Sequence, residues 1–230
     1  MNYNDFCGLE VLFLSPHYDD MVYSCAVTIE KLLNQECHIT NVNLFTRSKW
    51  SIIPDVYDAN IVSAVRFQEE QQVASQLGIN SISIGLSDSS IHELDAETEL
   101  IMECNPFLIN EYTEIVKHFV HCLKYDIVLT PFGKYGHIDH RYTRCISDNI
   151  FNSSDVVYYE DLPYFVNNRN NYLKELQLMG SILFEGDFMR KIKLMQKYES
   201  QFELKNAEII QRYGKSIIIG KYVERLWKCR

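Results

Sequence analysis

The sequence predicts an α/β fold: a Rossmann-like, doubly wound, mostly parallel sheet of at least five strands, closed by a C-terminal helical and loop cap. Three observations lead there. Short runs rich in β-branched and aromatic residues alternate with segments of helical period. Several of those runs stop abruptly in polar residues, as buried parallel strands do where their carboxyl ends open into a crevice. The 230 residues are 47% hydrophobic, enough for one core without staples. No linker or internal repeat divides the chain, so residues 1–230 are read as one domain with 165–230 as a capping extension.

The first strand ends in Ser15-Pro16-His17-Tyr18-Asp19-Asp20. Met21 to Asn34 then spaces Val22, Ala26, Ile29 and Leu33 for a helix. His38 to Thr46 supplies a second strand, followed by an aperiodic loop, Arg47 to Tyr57, in which Trp50 and Tyr57 are candidate substrate contacts. Asp58 to Leu77 is a longer helix with Gly78 as its stop. Ile61, Ala64, Val65, Val73, Ala74 and Leu77 form its expected buried face, and Arg66, Glu69 and Glu70 its polar side. Ile82 to Leu86 is a short third strand, with Asp88 just past its end. Asp95 to Asn105 is acidic and weakly helical, and Pro106 breaks it. Leu108 to Leu123 carries an amphipathic stripe, and Tyr125 to Thr130 is the fourth strand. Val156 to Tyr159 is the fifth, ending in Glu160 and Asp161. Beyond Tyr164 the pattern weakens: an Asn-rich turn at 167–171, a short apolar segment at Leu183-Phe184, a charged helix from Phe188 to Ile210 and a closing Tyr222–Trp227 segment.

Composition narrows the function. A formal net charge of −9, with no block of Lys or Arg, excludes a nucleic-acid phosphate track or an anionic membrane surface as the natural partner. No apolar run approaches the roughly 20 residues that span a bilayer. Met1-Asn-Tyr-Asn-Asp lacks a basic and apolar leader, so a cytoplasmic location is expected. The seven cysteines are scattered and form no Cys-x-x-Cys pair, which supports neither a thiolate zinc knuckle nor a disulfide framework. They are expected to be reduced and mostly in the core.

Chemistry concentrates at two places. His17, Asp19 and Asp20 follow the first strand, and Gly136-His137-Ile138-Asp139-His140 follows the fourth. Either cluster alone also reads as a polar loop with an Asp at a helix N-cap. Together they belong at one edge of the sheet, where a metal or an acid/base pair would sit.

These residues resemble the PIG-L/LmbE-like zinc-dependent deacetylases, which remove N-acetyl groups from amino sugars. The counterparts are Ser15-Pro16-His17-Tyr18-Asp19-Asp20 and Gly136-His137-Ile138-Asp139-His140. Arg66-Phe-Gln-Glu69-Glu70, Leu86-Ser-Asp88, Tyr159 to Tyr164, Tyr198 to Gln201 and Glu224 to Trp227 extend the likeness over nearly the whole chain. Tyr18 and Ile138 stand where members usually have proline, and Met21 where many have Glu.

The resemblance implies that His17, Asp20 and His140 hold Zn²⁺, with Fe²⁺ able to take the same set. It implies Asp19 as general base and a protonated His137 as oxyanion stabiliser, with Asp139 or Asp88 orienting that imidazole. Arg66 and Trp50 are expected to contact the substrate or buttress its loop. The expected partner is a small acetylated amino sugar or glycoconjugate, and the oligomeric state is left open. Two alternatives stand beside this reading: an amidase acting on a thiol-glycoside conjugate with the same site, and a non-hydrolytic Rossmann-like binding protein. Against the latter, the first strand-to-helix turn is His-Tyr-Asp-Asp rather than Gly-x-Gly-x-x-Gly, so a pyrophosphate would meet carboxylates.

Overall fold

A computed structural model describes residues 3–94 and 96–229. In chain order the elements are β1 (Glu10–Ser15), α1 (Asp20–Leu33), β2 (His38–Arg47), α2 (Ala59–Leu77), β3 (Asn80–Ser87), α3 (Ala96–Ile101), α4 (Pro106–Val120) and β4 (Ile127–Pro131). They continue with α5 (Ile138–Ile150), β5 (Val156–Tyr159), α6 (Tyr164–Leu176), β6 (Met179–Gly186), α7 (Phe188–Met195), α8 (Leu204–Ile217) and β7 (Tyr222–Cys229).

The seven strands among the described residues form one sheet in the order β3-β2-β1-β4-β5-β7-β6. β1 pairs in parallel with β2 on one side and β4 on the other. From Val11 to Ser15 β1 is buried, and both α1 and α5 pack against it. This burial is why the run reads as continuously apolar rather than alternating. After β1 the chain builds outward one way through β2 and β3, then returns to the other side of β1 with β4. The crevice past β1 and β4 is therefore the topological switch point, where open α/β sheets bind ligands.

The C-terminal third is more than a cap. β6 and β7 extend the sheet as antiparallel strands, with β7 inserted beside β5 in the register Tyr158↔Trp227 and Ile182↔Leu226. In β6, Ile182 and Phe184 are buried and alternate with exposed Ser181, Leu183 and Glu185, a period-2 pattern spread over too few residues to stand out. Residues 167–171 are not a turn but lie inside α6. Phe165 and Tyr172, both fully buried and stacked at 4.9 Å, anchor that helix and override the low helix propensity of its asparagines. The helix expected over 188–210 is two helices, α7 and α8, broken where buried Tyr198 and Ser200 turn towards α2. Pro106 opens α4 at its first turn, where a missing N–H costs nothing. Asp95, the first residue of the acidic segment, lies outside the described residues.

The cysteine expectation is corrected too. All seven are free, but Cys25 and Cys37 alone are buried, while Cys7, Cys122 and Cys229 are exposed.

α2 departs most from its expected face. Its ends are conventional: Asp58 caps Asn60 and Ile61 N–H, and Gly78 closes the helix at φ 69°. Yet Ile61 is 56% exposed, and the buried side consists of Val62, Arg66, Glu69, Glu70, Val73 and Ala74. The charges are tolerated because every one is matched. Glu69 accepts from Ser200 N–H at 2.7 Å and Ser200 Oγ at 2.6 Å. Glu70 accepts from Asn41 and Asn43 Nδ2 at 3.1 and 3.2 Å, and from Ser81 Oγ and Tyr198 OH at 2.6 Å each. Glu70→Ala is expected to destabilise the fold by about 3 kcal/mol, because it strands several buried donors at once. Urea unfolding checks this, and a loss under about 1 kcal/mol would mean that water replaces the carboxylate.

A second buried carboxylate ties the late strands to the helix that begins the site. α1 leaves helical geometry at Cys25 (φ −130°, ψ 17°). Glu224 of β7 accepts from the N–H groups of Val27 and Thr28 at 3.1 and 2.7 Å and pairs with buried Lys191 at 2.7 Å. Those two helical donors are thus served from across the sheet.

Candidate active site

The turn after β1 is organised by Asp20, the first residue of α1. Its Oδ2 accepts the His17 backbone N–H at 2.9 Å and lies 3.1 Å from His17 Nδ1 and 3.2 Å from His140 Nε2. Proline is absent at position 18, but Tyr18 is buried and its hydroxyl meets Ser83 Oγ at 2.9 Å, which pins the turn to β3. On the other side, the loop after β4 bends close over α5. A Cβ on Gly133, at φ +43°, would sit 2.5 Å from the His140 carbonyl oxygen, so only glycine fits.

The structure brings His17, Asp20 and His140 to one point, with one donor atom from each lying within 4.8 Å of the others. Each imidazole is fixed from behind. His17 Nε2 faces Asp139 Oδ2 at 3.0 Å, and His140 Nδ1 faces Asp161 Oδ2 at 3.2 Å. His17 Nδ1 and His140 Nε2 are left aimed at the shared space, the arrangement of metal-binding histidines. His140 Nε2 is buried without a hydrogen bond. That orphaned nitrogen, two oriented imidazoles and an intervening carboxylate fit a divalent ion with open positions.

Electrostatics separates the two adjacent carboxylates. Burial pushes Asp20 up, but His140 and His17 pull it well below the usual carboxylate range. Asp19 is raised by burial and by the Asp20 charge, only partly offset by Arg66. Environments that drive neighbouring acids apart mark separate roles. Burial also lowers His17 and His140, yet Asp139 and Asp20 carry His17 to about 10, and Asp20 and Asp161 carry His140 to about 9.

Asp19 pairs with Arg66, whose Nη2 lies 3.3 Å from Asp19 Oδ1. Arg66 is buried, and its Nη1 donates to Ser48 Oγ at 2.9 Å and lies 3.7 Å from Asp88 Oδ2. It is therefore part of the site and not of a surface pair. Asp19, Asp20, Arg66, Asp88 and His137 all line one cavity of about 340 Å³. Trp50 lines it too and is 55% exposed at the rim, whereas Tyr57 is 73% exposed and not among the lining residues.

His137 differs from expectation. Its Nδ1 accepts the Asp139 backbone N–H at 3.2 Å, so His137, not Asp139, caps α5. Burial and the neighbouring imidazoles hold it down to about 3 although Asp139 pulls upward. It is therefore a neutral imidazole with its proton on Nε2, not an imidazolium. Asp139 serves His17 instead, and its Oδ2 lies 3.8 Å from His137 Nδ1. Asp88 is engaged by Ser90 Oγ at 2.5 Å and Ile91 N–H at 3.3 Å. Sequence reasoning missed Asp161, Ser89, Glu99 and Tyr164 as site residues. Asp161 alone carried a signal, since it stands just past β5 as His17 stands past β1.

Residues 12–151 match the family described as GlcNAc-PI de-N-acetylase. The chain belongs to the PIG-L family. Within it, the chain is 27% identical over 203 residues to a 2'-N-acetylparomamine deacetylase of Streptomyces fradiae, covering 83% of this chain and 72% of that one. A deacetylase of the teicoplanin biosynthesis pathway shares its fold with a TM-score of 0.74 at 17% identity, over 95% of this chain and 96% of that one. An N,N'-diacetylchitobiose deacetylase from Pyrococcus horikoshii aligns with a TM-score of 0.60 at 19% identity, over 96% and 83% of the two chains. The sheet and its flanking helices are thus those of PIG-L-type deacetylases. No helix among the described residues is long and apolar enough to cross a membrane.

Proposed function

We propose that this PIG-L family protein is a zinc-dependent hydrolase that removes the N-acetyl group from an amino sugar or amino-sugar conjugate, releasing acetate and a free amine. The observation that carries the proposal is the convergence of His17, Asp20 and His140 on one point at the switch point of the sheet, with His17 and Asp20 lining the same cavity as Asp19 and His137. His17 Nδ1, Asp20 Oδ2 and His140 Nε2 are the atoms that would hold the ion. Zn²⁺, or Fe²⁺ in the same set, supplies Lewis acidity there, bringing water towards a pKa of about 7.

The chain's own groups do the rest. Asp19, raised and facing the cavity, takes the proton of the attacking water and later delivers it to the leaving nitrogen. His137 donates its Nε2–H to the oxyanion that forms as the carbonyl carbon becomes tetrahedral. Arg66 keeps the Asp19 carboxylate aimed and meets substrate hydroxyls from the same wall. Trp50 offers an aromatic face to a sugar ring at the rim.

A thiol-glycoside amidase would use the same atoms and differ only in the group beyond the amide. A nucleotide-binding role is disfavoured, because Asp19, Asp20, Asp88 and Glu99 line the cavity and would repel a phosphate. Measuring released amine across a panel of N-acetylated sugars, aminoglycoside fragments, glycolipid headgroups and thiol glycosides tests the proposal. Release from none of them by the zinc-loaded protein would overturn it.

A pH dependence follows from the metal-free histidines. Because His17 and His140 hold protons up to about 10 and about 9, binding of the ion displaces nearly two protons at neutral pH. Affinity should therefore tighten as pH rises, less steeply above about 9, and level off only above about 10. Calorimetric titration in buffers of different ionisation enthalpy counts those protons. An affinity unchanged between pH 6 and 8 would show that these imidazoles are not the ligands.

A further inference from the structure

We propose that Glu99 of α3 is the residue that positions His137, fixing where its Nε2 proton points. The proposal rests on the oxyanion role given to His137 above. With Nδ1 occupied by the Asp139 N–H, the His137 proton lies on Nε2. The carboxylate facing that nitrogen is Glu99 Oε2, at 3.4 Å. Asp139 and Asp88 are committed elsewhere, and Asp139 approaches the ring from the Nδ1 side. Glu99 is itself held, since its Oε1 accepts from Ser89 Oγ at 2.5 Å. Ser89 also donates its backbone N–H to Asp139 Oδ2 at 3.0 Å. Ser89 therefore joins the carboxylate behind His17 to the carboxylate in front of His137, and the two imidazoles are set by one connected frame.

The 3.4 Å separation is longer than a strong N–H···O bond. It steers the Nε2–H while leaving it free to hydrogen-bond to a substrate oxygen entering the cavity that Glu99 and His137 both line. Glu99 touches no reacting atom and acts through the ring. Gln at this position keeps the shape but leaves one acceptor oxygen for two donors, Ser89 Oγ–H and His137 Nε2–H.

The first test needs no metal and no substrate. Histidine side-chain ¹⁵N NMR of the metal-free protein should show His137 protonated on Nε2, and Glu99→Gln should move that resonance. An unmoved resonance overturns the proposal. In the zinc-loaded enzyme, Glu99→Gln should lower kcat about tenfold or more with KM within about twofold and zinc stoichiometry unchanged, and Glu99→Asp should recover part of the loss. In a His137→Ala background the same change should cost nothing further. A raised KM at constant kcat, or an undiminished loss without His137, would make Glu99 a direct substrate contact. If the resonance moves but wild type deacetylates no substrate, the functional reading fails and the positioning stands.

Discussion

His140→Ala is expected to abolish both metal binding and turnover. The side chain is fully buried, one nitrogen is held by Asp161, and the other faces Asp20 and His17 with no hydrogen bond of its own. A metal site left with His17 and Asp20 loses one of three protein ligands. Zinc content measured after dialysis should drop from about one equivalent to near zero, with kcat falling by about a thousandfold or more. The substitution also leaves Asp161 buried without its imidazole partner, with backbone donors such as the Gly133 N–H, at 3.3 Å, remaining. Asp161→Asn is therefore a useful companion: it keeps the ligand but weakens its support, and should cost about 10–100-fold in metal affinity. Folded His140→Ala protein that retains full zinc content would remove His140 from the ligand set.

Asp19→Asn should do the opposite, keeping the metal and losing the chemistry. Asp19 is adjacent to Asp20 yet directed at Arg66 and the cavity. An amide there can neither accept nor return a proton. General acid–base steps are worth about 10²–10⁴ in rate, and here one group serves both transfers. We expect kcat to fall by about a thousandfold, with zinc stoichiometry unchanged and KM nearly so. A kcat close to wild type would assign proton transfer to another group.

Much of this site was legible because its residues sit where parallel strands end. His17, Asp19 and Asp20 follow β1, His137 and His140 follow β4, and each break from apolar run to polar cluster shows in the linear order. The α2 helix was not legible in this way. Arg66, Glu69 and Glu70 have the composition of a solvated face. They are buried only because Ser48, Asp19, Asn41, Asn43, Ser81, Tyr198 and Ser200 converge on them from distant parts of the chain. Hydrophobic period alone assigns such a face to water.

The C-terminal region shows the same limit. Ile182 and Phe184 alternate as a strand should, but the pattern is short and its pairing partner, β7, lies about forty residues later. That pairing is a gain of contact, not of local propensity, so nothing near β6 announces it. The asparagines of α6 likewise argue for a turn until Phe165 and Tyr172 find the aromatic cluster around Phe132.

The sequence by itself determined the α/β architecture, the two polar clusters at one sheet edge, and the inventory of His17, Asp19, Asp20, His137 and His140. Strand periodicity and residue chemistry are local properties and can be read locally. Only the tertiary structure decided which carboxylate stands behind which imidazole: Asp139 behind His17, Asp161 behind His140, and Glu99 before His137. Those pairings join residues 122, 21 and 38 positions apart. They depend on distances of about 3 Å that exist once the sheet, α3 and α5 are packed, and hydrogen-bond energy at that range leaves no trace in sequence spacing.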